Sequence, residues 1–497
     1  MMVTSAKTTA QDKSLFAKEL RKAIGENKVK DDDIVLVTYA SDASPVPARK
    51  PGFVVLPESK EDVIATLKLA NKYKIPVAVM AGGVSMAGYN ITSEGGIVLD
   101  MHRMDRIIEI NTDSGYAVVE PGCSFDKLTA ALREKGFRAL IPTTPGSSSA
   151  MGNALGRPSN SLCNRHLDAI VDLEVVLPDG TEFRTGSSHF PNAGSSLRYG
   201  PFADLAGLYT CGYGTMGIIT RAALRIYPIN EANRVNVAAF DNFSDAVDFV
   251  KDIINNNIPE HCIIWNWQLY ETFAVDTSKP GTVIPDMLKS DPHTPPEGIP
   301  YCIVTTFLSG YEEMMVASEK ILTRVATKYH GKTLTKKEIQ ELIPIPMAGW
   351  NELYADYHQI EPTFFGLGKY MVWIMFAEPK DVKKMEKYAV DELAKLGVAP
   401  VCYYSQPFDF GRSIFFRIFA FPDPKNEELI GKVGAKFNEM FNVAMERYGA
   451  IPMRHKVYLP CIDQTGGFYD VMKRIKKALD PNNILNRDIG IFPEDER

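Results

Sequence analysis

Three loops of small residues are the parts of this sequence whose composition best suits ligand binding. The first, Ala81-Gly82-Gly83-Val84-Ser85 with Gly88 shortly after, directly follows a predicted strand over Pro76–Met80. Small residues at such a turn let successive backbone N–H groups converge on an anion, as a phosphate-binding nest requires. The loop therefore suits a phosphate group, although a plain tight turn has the same composition.

The second loop, Pro142–Asn153, reads PTTPGSSSAMGN and consists mostly of small and hydroxylated residues. Loops of this kind between regular elements often carry function, because a rigid scaffold can position their backbone against a ligand. A solvated linker is the alternative interpretation of this segment.

The third loop, Gly212–Gly217, has the spacing GxGxxG. In a Rossmann site that motif ends a strand and opens a helix. Here the following segment, Ile218–Tyr227, is rich in β-formers and alternates like a strand. We therefore reject a Rossmann site and expect an unusual backbone path close to a ligand.

Composition and charge exclude several classes of protein. The 497 residues are 45% hydrophobic and 23% charged, which is typical of a globular protein. The net charge of −6 and the lack of a basic stripe argue against a nucleic-acid partner. The seven cysteines are scattered singly without a CxxC pair, so we expect no metal, haem or iron–sulfur site.

Membrane insertion and secretion are not expected either. No run of about 18 apolar residues occurs, as a membrane-spanning helix would need. The first residues, MMVTSAKTTAQDK, are not followed by the apolar segment of a signal peptide. The expected location is therefore the cytoplasm.

The elements that must position these loops mix strands and helices without a regular βαβ rhythm, which favours an α+β fold over a doubly wound sheet. From about Ala232 the pattern of predicted elements changes: a helix over Phe243–Asn255 is followed by an aromatic strand over Ile263–Tyr270. We therefore predict two domains with a break near residues 230–240.

Several further segments occur in a fixed order with the three loops. They are Gly95–Ile107, Val119–Gly122, Leu173–Gly180 with Arg184-Thr185-Gly186, Gly200-Pro201, Gly214–Ile218, Asn257–Pro259 and the terminal Leu479–Leu485. In this combination the chain resembles the vanillyl-alcohol oxidase and p-cresol methylhydroxylase family of PCMH-type FAD-binding flavoproteins. It is nearest to the 4-alkylphenol and aromatic-alcohol branch, and the likeness covers nearly the whole chain.

The resemblance implies a two-lobed FAD-binding domain over residues 1–235, completed by the tail 465–497, with an α+β cap domain over 236–464. It also implies which residues contact FAD. These are Ala81, Gly82, Gly83, Val84, Ser85, Gly88, Pro142, Thr144, Gly146, Ser147, Met151, Gly152, Asn153, Gly214, Gly217, Ile218 and Arg487.

The same resemblance indicates substrate-binding residues. Arg454 aligns with the family arginine that faces the negative charge of the substrate, but the tyrosine that precedes it in the family is Met453 here. Tyr89 aligns with a second phenol-binding tyrosine. The sequence therefore keeps the positive charge of the phenolate site and loses one hydroxyl.

Further catalytic candidates come from aligned positions around the flavin. By the resemblance, Arg165, next to His166, aligns with a carboxylate near flavin N5. Tyr403 falls near the family glutamate that assists p-cresol oxidation, and Arg412 falls near the histidine that follows it. Arginines in these places would suit an anionic substrate better than a neutral one.

Covalent attachment of the flavin is not expected. The first loop contains no histidine, and the region that supplies a tyrosyl or histidyl link in the family reads Tyr357-His358-Gln359 here. Tyr357 or His358 could form a link, but neither aligns with an attachment residue, so we expect non-covalent FAD.

The function implied is that of an FAD-dependent oxidoreductase of aromatic compound metabolism. As a dehydrogenase or oxidase it would take a hydride from a benzylic or similar carbon to flavin N5. It would then pass the electrons to oxygen, a cytochrome or another redox subunit. Each of these acceptors is compatible with a homo- or hetero-oligomer.

Two alternatives remain open. One is a D-2-hydroxy-acid dehydrogenase of the glycolate or lactate type, which Tyr39–Ser44 favours but which usually carries a His-rich motif that this sequence lacks. The other is a flavin subunit of an electron-transfer complex without catalysis of its own.

Overall fold

The structure is a computed structural model. It describes residues 10–42, 44, 46–85, 88–92, 95–139, 144–156, 169–272, 286–342, 371–423, 425–453 and 465–487. Within these ranges three β-sheets and the helices packed on them form the framework of the molecule.

The first sheet holds the loop that follows Met80. Its strands are β1 (Val29–Lys30), β2 (Phe53–Val55), β3 (Val77–Met80) and β4 (Ile97–Asp100), arranged in the order β1-β2-β4-β3. Strands β2, β3 and β4 are parallel, so the loop after β3 leaves from their shared carboxyl edge. The accompanying helices are α1 (Ala10–Ile24), α2 (Asp33–Thr38) and α3 (Lys60–Tyr73).

Helix α3 illustrates how local sequence fixes these elements. The Ser59 hydroxyl caps the helix by accepting a hydrogen bond from the Asp62 backbone N–H at 3.3 Å. Val63, Leu67 and Ala70 recur on one face and are fully buried against the sheet. Lys74, in the left-handed conformation with φ 53°, ends the helix just before β3.

The second sheet is antiparallel and carries the other two loops. Its strands are β5 (Ile107–Asn111), β6 (Tyr116–Val119), β7 (Phe137–Ala139), β8 (Ile170–Val176), β9 (Glu182–Arg184) and β10 (Ile218–Pro228). The order is β5-β6-β10-β8-β9, and β7 also pairs with β10. Helices α4 (Phe125–Arg133), α5 (Ala150–Leu155) and α6 (Leu205–Tyr209) belong to this lobe.

The third sheet has eight antiparallel strands in the order β14-β11-β13-β12-β16-β17-β15-β18. The strands are β11 (Ala232–Phe240), β12 (His261–Asn266), β13 (Cys302–Gly310), β14 (Lys332–Thr333), β15 (Met371–Ala377), β16 (Cys402–Phe408), β17 (Ser413–Ala420) and β18 (Ile451–Pro452). The helices of this part are α7 (Phe243–Asn255), α8 (Trp267–Glu271), α9 (Glu312–Lys328), α10 (Lys336–Leu342), α11 (Pro379–Lys395) and α12 (Glu427–Tyr448). The chain then returns to the first two sheets through α13 (Gly467–Leu479).

The two faces of the third sheet have different neighbours. On β17, Phe416 and Ile418 belong to a core shared with helices α7, α11 and α12. The alternate residues Phe415 and Phe419 belong to a core that also contains residues of the second sheet. Since side chains on a strand alternate between faces, Arg417 lies on this second face, towards the first two sheets.

A buried ion pair connects the second and third sheets. The Arg138 guanidinium on β7 lies 2.6 Å from the carboxylate of Glu260, which directly precedes β12. The side chain of Glu260 is 4% exposed and that of Arg138 is 18% exposed, so the pair lies largely out of solvent.

The α+β class expected from the sequence is confirmed. One predicted element was wrong at its end, because the aromatic strand stops at Asn266 rather than Tyr270. The Asn266 side chain accepts a hydrogen bond from the Leu269 N–H at 3.2 Å and starts α8. Among the described helices, none is long and apolar enough to cross a membrane.

Candidate active site

A cleft of about 470 Å³ lies where the three predicted loops meet the third sheet. Its wall includes residues of the loops at 81–85, 144–153 and 212–217, together with Tyr89 and Asn486. The third sheet contributes Ile374 on β15, Phe415 and Arg417 on β17, and Met453 next to β18. The cleft is therefore lined on one side by the glycine-containing loops and on the other by side chains of the third sheet, most of them apolar.

The loop after β3 touches the second loop backbone to backbone. A Cβ atom built on Gly82 would lie only 2.5 Å from the backbone nitrogen of Ser149, so only glycine fits at this crossing. The neighbouring Gly83 has φ +66°, a conformation that side chains rarely adopt. The glycines thus let two backbones line one wall of the cleft.

A charged cluster lies behind the first loop. His102 donates through Nδ1 to the carboxylate of Asp100 at 2.5 Å. The hydrogen bond to Asp100 raises the pKa of His102 above its usual value. Tyr39 donates its hydroxyl to the other oxygen of Asp100 at 2.7 Å, so the carboxylate is held from both sides.

The second loop is fixed by hydroxyl groups. The Ser149 hydroxyl caps α5 by accepting from the Gly152 N–H at 2.8 Å and donates to the Pro121 carbonyl at 2.5 Å. Thr144 and Ser148 hydrogen-bond to each other at 2.8 Å. On this loop the buried oxygen Oδ1 of Asn153 accepts no hydrogen bond from the described residues.

The third loop bends sharply before β10. Tyr213 has φ +46° and Gly214 has φ +73°. A Cβ on Gly214 would lie 2.5 Å from Cγ1 of Val79, and a Cβ on Gly217 would lie 2.6 Å from Cγ1 of Val175. The GxGxxG motif therefore opens a strand, as predicted, and its glycines let the loop pack against β3 and β8.

The C-terminal tail holds the loops together. The Asn486 amide Nδ2 donates to the backbone carbonyls of Tyr89 at 3.2 Å and Tyr213 at 2.7 Å. Its backbone N–H donates to the Val77 carbonyl at 2.7 Å. Asn486 is 4% exposed, and its oxygen Oδ1 has no partner among the described residues. Sequence reasoning missed this residue, which has no distinguishing motif of its own.

A buried lysine anchors the same tail. The Lys476 ammonium donates to the carbonyls of Thr215 at 2.6 Å and Leu485 at 3.0 Å, and to the Asp480 carboxylate at 2.5 Å. Burial lowers the pKa of Lys476 although Asp480 opposes that shift. The tail is therefore tied to the third loop through charge-assisted bonds.

Aromatic rings form part of the cleft wall. Tyr89 stacks on Tyr213 with ring centroids 4.2 Å apart and an interplanar angle of 30°. Tyr209 also lines the cleft, and burial raises its pKa to about 12, which keeps its hydroxyl protonated. Tyr89 is thus the one described residue among the predicted catalytic set that lies on the cleft wall.

Most of the predicted FAD contacts lie on the wall of the cleft. They are Ala81, Gly82, Gly83, Val84, Ser85, Thr144, Met151, Gly152, Asn153, Gly214 and Gly217. The described residues Gly88, Gly146, Ser147, Ile218 and Arg487 lie off this wall.

Two predicted catalytic residues are not brought to the cleft. Tyr403 is fully buried on the opposite face of the third sheet, where its hydroxyl donates to the Glu386 carboxylate at 2.6 Å. The side chain of Arg412 is 74% exposed in the turn before β17 and pairs with Asp409 at 3.1 Å.

Both departures follow from position in the strands. Side chains on β16 alternate between the two faces of the sheet, and Tyr403 is on the face away from the cleft. Arg412 lies before the first residue of β17, the strand whose Phe415 and Arg417 line the cleft.

The other predicted residues lie outside the described ranges. They are Arg454, Arg165, His166 and Pro142, together with Tyr357 and His358 of the region considered for flavin attachment.

Arg417 is a cleft residue that the sequence-based prediction missed. Its Nη1 donates to the Tyr404 hydroxyl at 3.0 Å, and the residue is 8% exposed. A signal was present, because Arg417 is the charged residue of the otherwise apolar strand SIFFRIFA. A charge inside such a strand is either paired or functional.

The residues of the cleft wall fit a dinucleotide such as FAD. Gly82 and Gly214 sit where a Cβ would fill the loop contacts, and two buried amide oxygens, on Asn153 and Asn486, lack described partners. Ser85, Ser148 and Tyr89 add hydroxyl groups to the same wall. Hydrogen-bond donors and acceptors of this kind are what a cofactor with phosphate, ribose and ring amide groups requires.

Comparison with known families and proteins agrees with this geometry. The FAD binding domain family matches residues 51–186, and the family of C-terminal domains of FAD linked oxidases matches residues 416–489. The chain is 24% identical over 492 residues to the glycolate oxidase subunit GlcD of Bacillus subtilis, covering 96% of this chain and 97% of that protein.

Two further similarities concern phenol oxidation. The flavoprotein subunit of 4-cresol dehydrogenase (hydroxylating) from Pseudomonas putida is 26% identical over 514 residues, covering 94% of this chain and 93% of that protein. The crystal structure of p-cresol methylhydroxylase with substrate bound superposes with a TM-score of 0.82 at 22% identity, covering 97% of each chain. That superposition shows a shared fold. The chain therefore carries an FAD binding domain and a C-terminal domain of FAD linked oxidases in the PCMH-type fold expected from the sequence, and it is an FAD-dependent oxidoreductase with FAD as its cofactor.

Proposed function

We propose that the enzyme takes a hydride from a benzylic or similar carbon of a small donor bound beside FAD. Bound FAD supplies the two-electron chemistry by accepting that hydride at flavin N5. The observation that carries the proposal is the shared cavity, to which Ile374, Phe415 and Met453 contribute an apolar wall together with the FAD loops. Such a wall suits a small aromatic or alkyl donor.

The similar proteins support a phenol-like donor. Both the 4-cresol dehydrogenase subunit and p-cresol methylhydroxylase are named for p-cresol, a benzylic substrate, and both align over more than nine-tenths of the chain. Tyr89, on the cleft wall, is in place to hydrogen-bond such a donor. The roles assigned to Arg454, Arg165 and His166 remain predictions.

The division of labour between domains is part of the proposal. Residues 1–235 with the tail 465–497 bind FAD, and residues 236–464 cover the substrate. Strand β11 supports a break close to this boundary, because it pairs with β13 and β14 of the third sheet from Ala232 onwards.

A D-2-hydroxy acid is the second candidate donor. The glycolate oxidase subunit of Bacillus subtilis aligns over almost its whole length, and a probable D-lactate dehydrogenase of Danio rerio is 28% identical over 259 residues. Arg417 in the cleft provides a positive charge that would suit the carboxylate of such an acid.

The electron acceptor and the location are also proposals. The Pseudomonas relative is named a flavoprotein subunit, which favours a separate redox partner for this chain as well. Reoxidation by oxygen is the alternative, and a cytoplasmic location remains the prediction from the N-terminal sequence.

Anaerobic reduction of the bound flavin tests the proposal directly. The holoenzyme is mixed with 4-alkylphenols, benzylic alcohols or D-2-hydroxy acids, and loss of the flavin absorbance is followed by stopped flow. We expect rapid bleaching by one benzylic class and slow or no bleaching by the others. Bleaching by dithionite but by none of these donors would contradict catalysis and favour a flavin subunit that only carries electrons.

A further inference from the structure

The surface segment between β9 and α6 has a firmly held backbone. The Ser187 hydroxyl donates to the Gly194 carbonyl at 2.8 Å and accepts from the Leu197 N–H at 3.1 Å, which ties the two ends of the loop together. Further along, the guanidinium of Arg198 binds the Asp204 carboxylate at 2.9 Å, and the Arg198 side chain is 0% exposed. The side chains that this segment presents to solvent are therefore carried on a fixed scaffold.

Four of these side chains form one apolar patch. The ring centroids of His189 and Phe190 lie 4.2 Å apart, and that of Phe202 lies 4.9 Å from His189 and 5.7 Å from Phe190. Leu197 extends the patch, because its Cδ2 and that of Phe202 lie 3.8 Å and 3.7 Å from a Cβ atom built on Gly200. Phe190, Leu197 and Phe202 are between 51% and 56% exposed. We call His189, Phe190, Leu197 and Phe202 the aromatic patch.

The surface around the aromatic patch is poor in charge. Residues 187–203 contain one arginine, Arg198, and no lysine, aspartate or glutamate. Since the Arg198 side chain is fully buried, its charge does not reach the surface. Contiguous exposed apolar patches mark interaction sites, and aromatic surface depleted in charge is typical of the centre of a protein–protein interface.

Charged groups of both signs lie at one side of the aromatic patch. A cavity of about 550 Å³ opens beside Phe190, and its lining includes Glu109, Arg184 and Arg221. The Arg184 side chain is 43% exposed, and Nε of Arg221 has no hydrogen-bond partner among the described residues. The patch thus has an apolar centre and a rim that carries both acid and base.

We propose that the aromatic patch is the centre of an interface between two copies of this chain. In a two-fold contact the same surface serves both copies, so it must be complementary to itself. An uncharged centre meets its own copy without repulsion, and a rim with both signs lets Glu109 of one copy face arginines of the other. A partner of one strong charge sign would find no exposed permanent charge to match in residues 187–203.

The exposed apolar area is of the size that such a contact needs. Tyr199 and Leu205 in the same region are 49% and 46% exposed, which brings the number of half-exposed large side chains to five. At roughly 100 Å² for half of a large side chain, they present about 500 Å². A stable interface buries about 800 Å² on each partner, so these side chains and the polar rim together suffice.

Sedimentation velocity of the purified holoenzyme over a range of micromolar concentrations tests the proposal. We expect a monomer–dimer equilibrium in which the larger species has twice the mass of one chain. A wild type that stays monomeric throughout this range would overturn the proposal. If that monomer floated with phosphatidylcholine vesicles, the occupant of the patch would be a lipid surface and the proposal would likewise be wrong.

Variants connect the dimer to the patch. Phe202→Glu should raise the dimer dissociation constant at least about 30-fold, because it removes a ring and adds a carboxylate to both halves of the contact. Phe202→Leu should retain most of the affinity. Tyr311→Glu is the matched control, since Tyr311 is an aromatic residue 66% exposed at the start of α9, and it should dimerise like the wild type. Equal weakening by Phe202→Glu and Tyr311→Glu would assign the dimer to another surface.

Two readouts guard against a trivial result. Phe202 is exposed and does not line the cleft, so Phe202→Glu should keep the FAD content and the thermal unfolding midpoint of the wild-type monomer. Hydrogen exchange should be slower in residues 187–203 of the wild-type dimer than in the same residues of the Phe202→Glu monomer. Protection confined to other segments would place the contact elsewhere and refute the proposal. None of these measurements involves an electron donor, so they are independent of the proposed function.

Discussion

Substitution of Gly82 by alanine probes the crossing of the two FAD loops most directly. The added methyl carbon would lie 2.5 Å from the Ser149 nitrogen and 3.3 Å from both the Ser148 carbonyl carbon and the Ser149 Cβ. The nearest atom is backbone, so no side chain can rotate away. Ordinary van der Waals contact begins near 3.4 Å, so the loops must separate by about 0.9 Å.

The cost of that separation sets the expected loss of FAD affinity. Overpacking of a well-packed site costs about 1 to 3 kcal/mol. At about 1.4 kcal/mol per tenfold change, this corresponds to an FAD dissociation constant raised roughly 5- to 150-fold. Because Gly82 has no positive φ, the effect comes from the contact and not from backbone strain.

The assay is reconstitution of apoenzyme with FAD, followed by flavin fluorescence quenching. Gly431→Ala is the matched control, because it adds the same methyl group on α12, where nothing lies within 4 Å. We expect Gly431→Ala to bind FAD like the wild type and to be slightly stabilised, as alanine is the better helix former.

Two readouts separate loss of the site from loss of the fold. The apoprotein of Gly82→Ala should unfold within a few degrees of the wild-type apoprotein, while its holoprotein should lose most of the stabilisation that FAD provides. Wild-type FAD affinity in Gly82→Ala would refute the placement of FAD between these loops.

Three further predictions concern groups around the site. Arg138→Met should lower the thermal unfolding midpoint, because it removes the guanidinium that faces the buried Glu260 carboxylate, at a cost of about 3 kcal/mol; adding Glu260→Gln should restore part of the midpoint. Asp100 raises the pKa of His102 in the folded protein, so the stabilisation is complete below about pH 6.5 and is lost as the pH rises through the folded pKa. His102→Gln should therefore remove that step from the pH profile of the free energy of unfolding. Lys476→Met should speed FAD release and hydrogen exchange in residues 480–487, because the tail loses the bonds of Lys476 to Thr215 and Asp480. Unchanged exchange in these residues would show that Lys476 does not anchor the tail.

Local sequence determined the loops and most of the elements on its own. Glycine at 82, 83 and 214 marked places where the backbone takes an unusual path or approaches another chain segment, and that property depends on the residue itself. The alternation of Ile218–Tyr227 excluded a Rossmann site, and the structure has strand β10 there. Helix Phe243–Asn255 has the predicted bounds, since its hydrophobic period and its N-cap, Asn242, are local features.

Tertiary structure alone decided which side chains reach the cleft. Tyr403 and Tyr404 are adjacent in sequence, yet Tyr403 bonds Glu386 beneath the helices and Tyr404 bonds Arg417 beside the cleft. Alternation along a strand puts neighbours on opposite faces, but which face meets the FAD loops depends on how two sheets pack. Arg417 and Asn486 are 69 residues apart in sequence and line one cavity because the tail returns to the first sheet. Contacts between segments so distant depend on the packing of the whole chain, which local patterns do not encode.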